Sequence, residues 1–235
     1  MAKFIIKEPF WQLFPRAEIS IILAKGVDNT ASNARPEIAE GLKKANKEAE
    51  KFLTEDVFSE NAVIKVWRQA YQLFKTKKGA RSSMEALLKR VERGNGVGVI
   101  NPLVDIYNTV SLTFGLPCGG EDIDAFAGDM VLTKADGGEP FMALGDDACD
   151  NALPGEICYK DGAGAVCRCW NWRDGQRTML TERTVNAFLI IESVDPAKHD
   201  DLMKAAQTLA ELTRRYLGGA TETAHMNVNN KEIAL

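Results

Sequence analysis

Val99-Ile-Asn-Pro-Leu-Val-Asp-Ile-Tyr-Asn-Thr-Val-Ser-Leu-Thr-Phe-Gly-Leu-Pro-Cys-Gly-Gly-Glu-Asp-Ile-Asp124 is the stretch from which the rest of the chain is read. Leu103, Ile106, Tyr107, Val110 and Phe114 recur at steps of three and four, the spacing of one apolar helix face. Asp105, Asn108 and Ser111 lie off that face. Gly115 is placed to end the helix as a C-cap, and Pro117 prevents a restart. Gly119-Gly120 then reads as a loop able to pass close to another backbone or a ligand. Two readings fit the polar positions: Asp105 and Asn108 bond neighbouring loops, or the segment is an ordinary buried helix and turn.

Working outward, residues 4–7 and 18–27 read as strands. Ile19, Ile21 and Leu23 alternate with Ser20, Ile22 and Ala24, so both faces of the second are apolar enough to be covered. Asp28-Asn29-Thr30 closes that strand with a turn. Pro36 suits the first turn of a helix carrying Ile38, Leu42, Ala45, Ala49 and Phe52. A second helix follows with Val63, Val66, Trp67, Ala70 and Phe74 on one face. Lys75-Thr-Lys-Lys-Gly-Ala-Arg81 is a basic loop, and Ser82-x-x-Glu85 is a capping box for the next helix, stopped at Gly94.

Beyond the central stretch the texture changes. Residues 130–133, 157–159, 165–170 and 187–191 are short β-prone segments split by Gly, Asp and Pro turns. Asp195-Pro196 begins a last long helix with Leu202, Ala205, Ala206, Leu209 and Leu212 inward and Gly218-Gly219 as its stop. The predicted architecture is one α+β domain over residues 1–235: a three-layer arrangement with a β-sandwich-like sheet core flanked by helices. Residues 1–97 form its helix-rich part and residues 98–235 its core.

Hydrophobic residues are 45% and charged residues 26%, ordinary for a globular chain. No apolar run reaches the roughly 20 residues that span a bilayer, and the first residues lack the core of a signal peptide, so a cytoplasmic protein without a membrane partner is expected. The five cysteines are an odd count without framework spacing. Cys167-x-Cys169 lacks a second cysteine pair, and reduced thiols are expected rather than a metal. Net charge is −4, but residues 65–93 hold nine Lys/Arg against two Glu, and residues 120–161 hold eleven Asp/Glu against two Lys. That asymmetry fits a phosphate-seeking face or simply solvated helix faces. Gly162-x-Gly164 has no βα unit around it and reads as a tight turn, and no P-loop or nucleophile elbow is present. Glu192 ends the apolar run Ala187-Phe-Leu-Ile-Ile; a carboxylate there is either exposed at a strand end or bonded to something specific.

Asn101-x-x-Val104-Asp105-x-x-Asn108, Gly115-x-Pro117, Asp122-x-Asp124 and Gly128-Asp129-x-Val131 together resemble the editing domain of the phenylalanyl-tRNA synthetase beta subunit, and weaker similarity continues to about residue 225. The resemblance implies a tRNA-linked hydrolytic pocket. It puts Glu192 where the family has a glutamate that recognises the hydroxyl of a wrongly attached tyrosine. It carries over Thr221 and places Thr223 where the family has a small apolar residue shaping the pocket. Gly119, followed by Gly120, stands where the family has a histidine beside the scissile ester, and His225 is a candidate to supply the missing imidazole.

From this follows the expectation of a trans-acting aminoacyl-tRNA deacylase, with Thr221 and His225 catalytic and Glu192, Gly119, Gly120 and Thr223 holding the amino-acid moiety. Lys75, Lys77, Lys78, Arg81, Lys89, Arg90 and Arg93 would hold the tRNA. No cofactor, metal or ATP is expected, and no ligase activity. A non-catalytic module binding tRNA or an amino acid, and a hydrolase of small amino-acid esters or amides, are the alternatives.

Overall fold

The computed structural model describes residues 2–235. Its elements begin with strand β1 (Lys3–Ile6), helix α1 (Glu8–Leu13) and strand β2 (Glu18–Lys25). Helices α2 (Arg35–Glu48), α3 (Ala62–Tyr71), α4 (Ser83–Glu92) and α5 (Pro102–Phe114) follow. Then come β3 (Cys118–Asp122), β4 (Met130–Lys134), β5 (Ile157–Asp161), β6 (Gly164–Arg168), β7 (Arg173–Asp174) and β8 (Asn186–Ser193). Helix α6 (His199–Leu217) and strands β9 (Ala220–Met226) and β10 (Glu232–Ala234) complete the chain.

The strands form two sheets. One has the order β10-β1-β4-β5-β6-β7, the other β3-β8-β2-β9. Every pairing is antiparallel except β1 with β4. The sheets pack face to face: Phe4, Ile6, Met130 and Leu132 of one meet Ile19, Ile21, Phe188 and Ile190 of the other, with the Phe4 and Phe188 rings 5.1 Å apart, edge to face. The opposite face of the four-stranded sheet, Ile22, Ala24, Leu189 and Ile191, is covered by Leu103, Ile106 and Val110 of α5 and Leu202, Ala206 and Leu209 of α6. Thus β2 and β8 are buried on both sides, which is why both read as nearly unbroken apolar runs. Helices α2 to α4 add a satellite core around Leu42, Ile64, Met84 and Leu88. The α+β class with a sandwich-like sheet core is as expected from the sequence.

The central stretch folds by its local signals. Asn101 caps α5 by accepting from Val104 N at 3.2 Å, Asp105 Oδ1 holds Ile100 N at 2.7 Å, and Gly115 closes the helix at φ 67°. Asn29 ties this start to β2: its amide bonds Asn101 Oδ1 and Thr181 O, and its Oδ1 takes Leu103 N at 2.8 Å. Asp122 and Asp124 likewise hold Thr184 and Asn186. The polar residues that carry the resemblance therefore stitch loops to the core. Gly119-Gly120 is not a loop but the middle of β3, and Thr221 to Thr223 lie in β9. Neither strand has an apolar alternation of its own; each forms because an exposed sheet edge, β8 or β2, supplies the hydrogen-bonding partner.

Candidate functional site

Between β3 and β7, the last strands on one side of their sheets, a cleft enters the sandwich with about 500 Å³ of empty volume, its mouth included. Gly119 and Glu121 of β3, Glu192 of β8, Tyr159 of β5 and the turn residues Trp170 and Asn171 line it. On β3, Gly119 and Glu121 share a face because strand side chains alternate. A Cβ at Gly119 would meet only Ile190 Cγ2, at 3.6 Å, whereas one at Gly120 would strike Leu189 and Leu180 at 2.7 and 2.8 Å. So Gly119 leaves room on the cleft side, and Gly120 is required by packing on the other.

The turn after β6 builds the inner wall. Cys169 and Trp170 both take left-handed φ, 46° and 65°, a costly conformation for residues with side chains. Packing compensates. Trp170 is fully buried, its N–H donates to Ile157 O at 2.6 Å, and its ring lies 4.5 Å from Phe14 and 5.0 Å from both Phe10 and Trp67. This placement turns the indole N–H onto Glu192.

Glu192 is 1% exposed and receives three donors. Trp170 Nε1 donates to Oε1 at 2.5 Å, the Tyr159 hydroxyl donates to the same oxygen, and Asn171 Nδ2 donates to Oε2 at 2.5 Å. Asn171 is fixed in turn by Tyr71, whose hydroxyl donates to Oδ1 at 3.0 Å. A carboxylate has about four acceptor positions, so one remains for a ligand. Burial raises the carboxyl to about 7, against the opposing pull of its three donors. A folded pKa above the unfolded value means that stability is fully present below about 4.5 and falls as pH rises to about 7, then stays level. Between those limits the loss is about 3 kcal/mol. Glu192→Gln is expected to lack this decline: urea midpoints compared between pH 4.5 and 8 should drop further in the natural protein than in the variant. Parallel profiles would contradict the buried-acid assignment.

Glu121 is the second acid. It is 5% exposed, and its Oε2 has no hydrogen-bond partner. Burial, then the neighbouring Asp174, hold its pKa well above the carboxylate range, and burial raises Asp174 too. Cys118 and Cys167 also border the cleft, but burial pushes both thiols far up, so neither is a thiolate nucleophile at neutral pH. The lining contains three carboxylates and no Lys, Arg or His. The cleft is thus built for a cationic or hydroxyl-bearing group and against phosphate.

A family model described as the B3/4 domain matches residues 66–224, well over half of the chain. The chain belongs to the B3/4 domain family. Among curated relatives of this B3/4 domain, the phenylalanine–tRNA ligase beta subunit of Cutibacterium acnes is 29% identical over 124 residues, covering 53% of this chain and 14% of that protein. The same subunit of Fusobacterium nucleatum is 26% identical over 190 residues, 77% of this chain and 22% of that protein. This B3/4 domain therefore spans about a fifth or less of the length of those relatives. The crystal structure of an N-terminal fragment of the phenylalanyl-tRNA synthetase beta subunit from Pyrococcus horikoshii aligns with TM-score 0.50, 95% of this chain and 53% of that one, at 11% identity. At that identity the likeness is one of fold.

The B3/4 fold brings Glu192, Gly119 and Gly120 together in the cleft, but separates them from Thr221, Thr223 and His225. Ile19 pairs with both Glu192 and Met226, so these share the sandwich face of the four-stranded sheet. Thr221, Thr223 and His225 have the opposite parity, pairing with Ala24, Ile22 and Ser20, and so face the α6 side. The expectation that Thr221 and His225 act beside Glu192, and that Thr223 narrows its pocket, is corrected by this register. The basic residues also divide. Lys75, Lys78 and Arg81 are exposed on a loop packed against the cleft turn, where Lys77 N donates to Cys169 Sγ and Lys77 Nζ pairs with Asp150. Lys89, Arg90 and Arg93 sit toward the far end of α4, about 9 to 15 Å along its axis from Ser83; Lys89 is paired with Glu92 at 2.6 Å, and Arg90 Nε bonds Gly96 O. Tyr159, Trp170, Asn171 and Glu121 escaped the sequence reading. Only the Gly119–Glu121 alternation could have signalled one of them, had β3 been read as a strand. No helix among the described residues is long and apolar enough to cross a membrane.

Proposed function

We propose that this B3/4 domain hydrolyses the aminoacyl ester of a charged tRNA, with the acid cleft holding the amino-acid moiety. The observation that carries the reading is Glu192: a buried carboxylate fixed by three donors, with one acceptor position left and no cation in its cleft. An aminoacyl group brings an ammonium and, in some amino acids, a side-chain hydroxyl or cation. Glu192 selects the side-chain group, and Glu121 with Asp174 accepts the ammonium, whose charge favours the ionised form of these buried acids. The ribose-phosphate chain stays outside, against Lys75, Lys78 and Arg81 of the loop packed on the cleft turn. Water adds to the ester carbonyl, the bond to the ribose oxygen breaks, and that oxygen leaves as the hydroxyl with a proton from the water. The ester is already activated, and a neighbouring ribose hydroxyl can orient the water, so positioning supplies much of the acceleration without an imidazole at Gly119. No ATP enters the reaction. The acting unit is proposed to be all of residues 1–235, since β1 and β2 of the helix-rich first part are interior strands of the two sheets.

A second reading, a module that binds the amino acid or tRNA without cleaving, is favoured by one observation: no histidine or ionised thiol lines the cleft. Purified protein incubated with tRNAs charged with each amino acid in turn separates the two. Release of a polar or cationic amino acid well above the spontaneous rate is expected, and saturable binding with no added release would establish the module instead. Small aminoacyl esters in parallel test the need for RNA; equal rates on both would remove the tRNA from the proposal.

A further inference from the structure

On the opposite face of the same sheet, Glu18, His199 and His225 converge. These are the only two histidines of the chain, 26 residues apart in sequence, and the fold gives both to one carboxylate. Glu18 opens β2, His199 is the first residue of α6, and His225 lies in β9 across from Ser20. Glu18 Oε2 lies 2.7 Å from His199 Nδ1 and 3.7 Å from His225 Nε2, and the three donor atoms lie within 4.8 Å of one another. The imidazole planes are nearly perpendicular, 89° apart.

We propose that Glu18, His199 and His225 form a binding site for a divalent transition metal of the zinc class, with the remaining coordination position open to water. Two imidazoles and a carboxylate are a donor set suited to zinc, and metal–ligand distances near 2.0–2.2 Å place tetrahedral ligands roughly 3.4 Å apart, within reach of small side-chain rotations here. A second observation points the same way. His225 Nδ1 is buried without a hydrogen-bond partner, and so is the hydroxyl of Ser20, its direct cross-strand neighbour. A small rotation that let Nδ1–H donate to Ser20 would satisfy both atoms and fix the tautomer whose Nε2 lone pair faces the metal, the usual support behind a ligating histidine. The metal would clip the start of α6 to β2 and β9. It is separate from the cleft, so it stands or falls independently of the proposed hydrolysis.

The test is titration of the reduced full chain with Co²⁺ followed by visible absorption, and with Zn²⁺ followed by equilibrium dialysis and metal quantification. One metal per chain is expected, with d–d bands of a low-coordinate site, no thiolate-to-cobalt charge-transfer band and a raised melting temperature. His199→Ala, at an exposed position, should weaken binding at least about tenfold, and Glu18→Gln and His225→Ala likewise. Absence of stoichiometric binding would overturn the site. So would a thiolate band, or affinity unchanged in the His199→Ala/His225→Ala double variant, either of which would place the metal on other ligands.

Discussion

Glu156→Ala is expected to destabilise the fold by about 3–5 kcal/mol, because it strands a buried guanidinium. Arg168 and Glu156 are both 0% exposed. They are joined by two parallel hydrogen bonds, Nε to Oε2 at 2.9 Å and Nη2 to Oε1 at 2.6 Å, while Nη1 reaches Asp150 Oδ2 at 2.8 Å. Desolvating this pair offsets most of its attraction, so its presence adds little net stability, whereas removal of Glu156 leaves Nε and Nη2 of a buried guanidinium unpaired, with only the half-exposed Asp150 as counter-charge. The joint change Glu156→Leu with Arg168→Met should accordingly recover most of the loss. Arg168 ends β6 immediately before the strained Cys169–Trp170 turn, so the pair also anchors the cleft wall. Denaturant midpoints at pH 7 decide it. A Glu156→Ala loss below about 1 kcal/mol, or a double variant no better than the single, would contradict the assignment.

Trp170→Ala should cost a similar amount, about 3–5 kcal/mol, by opening a cavity where the indole meets Phe10, Phe14 and Trp67. It also deletes a donor to Glu192. Trp170→Phe separates the two effects. It keeps much of the packing, so it should be less destabilising, yet it leaves Oε1 with the Tyr159 hydroxyl alone and should raise the Glu192 pKa further. Titration of Glu192 by NMR in both proteins measures this. An unchanged pKa in Trp170→Phe would show that the indole N–H does not hold the carboxylate.

What could be read from the sequence, and what could not, follows from how local each signal is. Helix α5 with its Asn101 cap and Gly115 stop, the Ser82 cap of α4 and the doubly buried β2 and β8 are encoded within a few residues, and each was legible. Strands β3 and β9 are encoded by their neighbours, so Gly119-Gly120 reads as a loop and Thr221 to Thr223 reads as a segment after a helix. That omission propagated to the site. Side-chain alternation places Thr221 and His225 on the face away from Glu192, and a face cannot be assigned before the strand and its register are known. Glu192 itself was legible as an acid ending an apolar run. Its three donors come from β5 and the turn after β6, at no fixed spacing. The histidines gave no metal signal for the same reason.

If Glu192 reads a polar group on the amino acid, as proposed, a ratio of deacylation rates will show it. The two substrates are the preferred aminoacyl-tRNA and its apolar analogue, compared in the natural protein and in Glu192→Ala, with unfolding midpoints taken alongside. A hydrogen bond to a charged partner contributes about 1.5–3 kcal/mol, roughly a tenfold to hundredfold preference. Glu192→Ala should lose that preference by about this factor, and Glu192→Gln should keep part of it, since an amide oxygen still accepts. A ratio unchanged in Glu192→Ala while the midpoint falls would make Glu192 a structural acid with no part in selecting the amino acid.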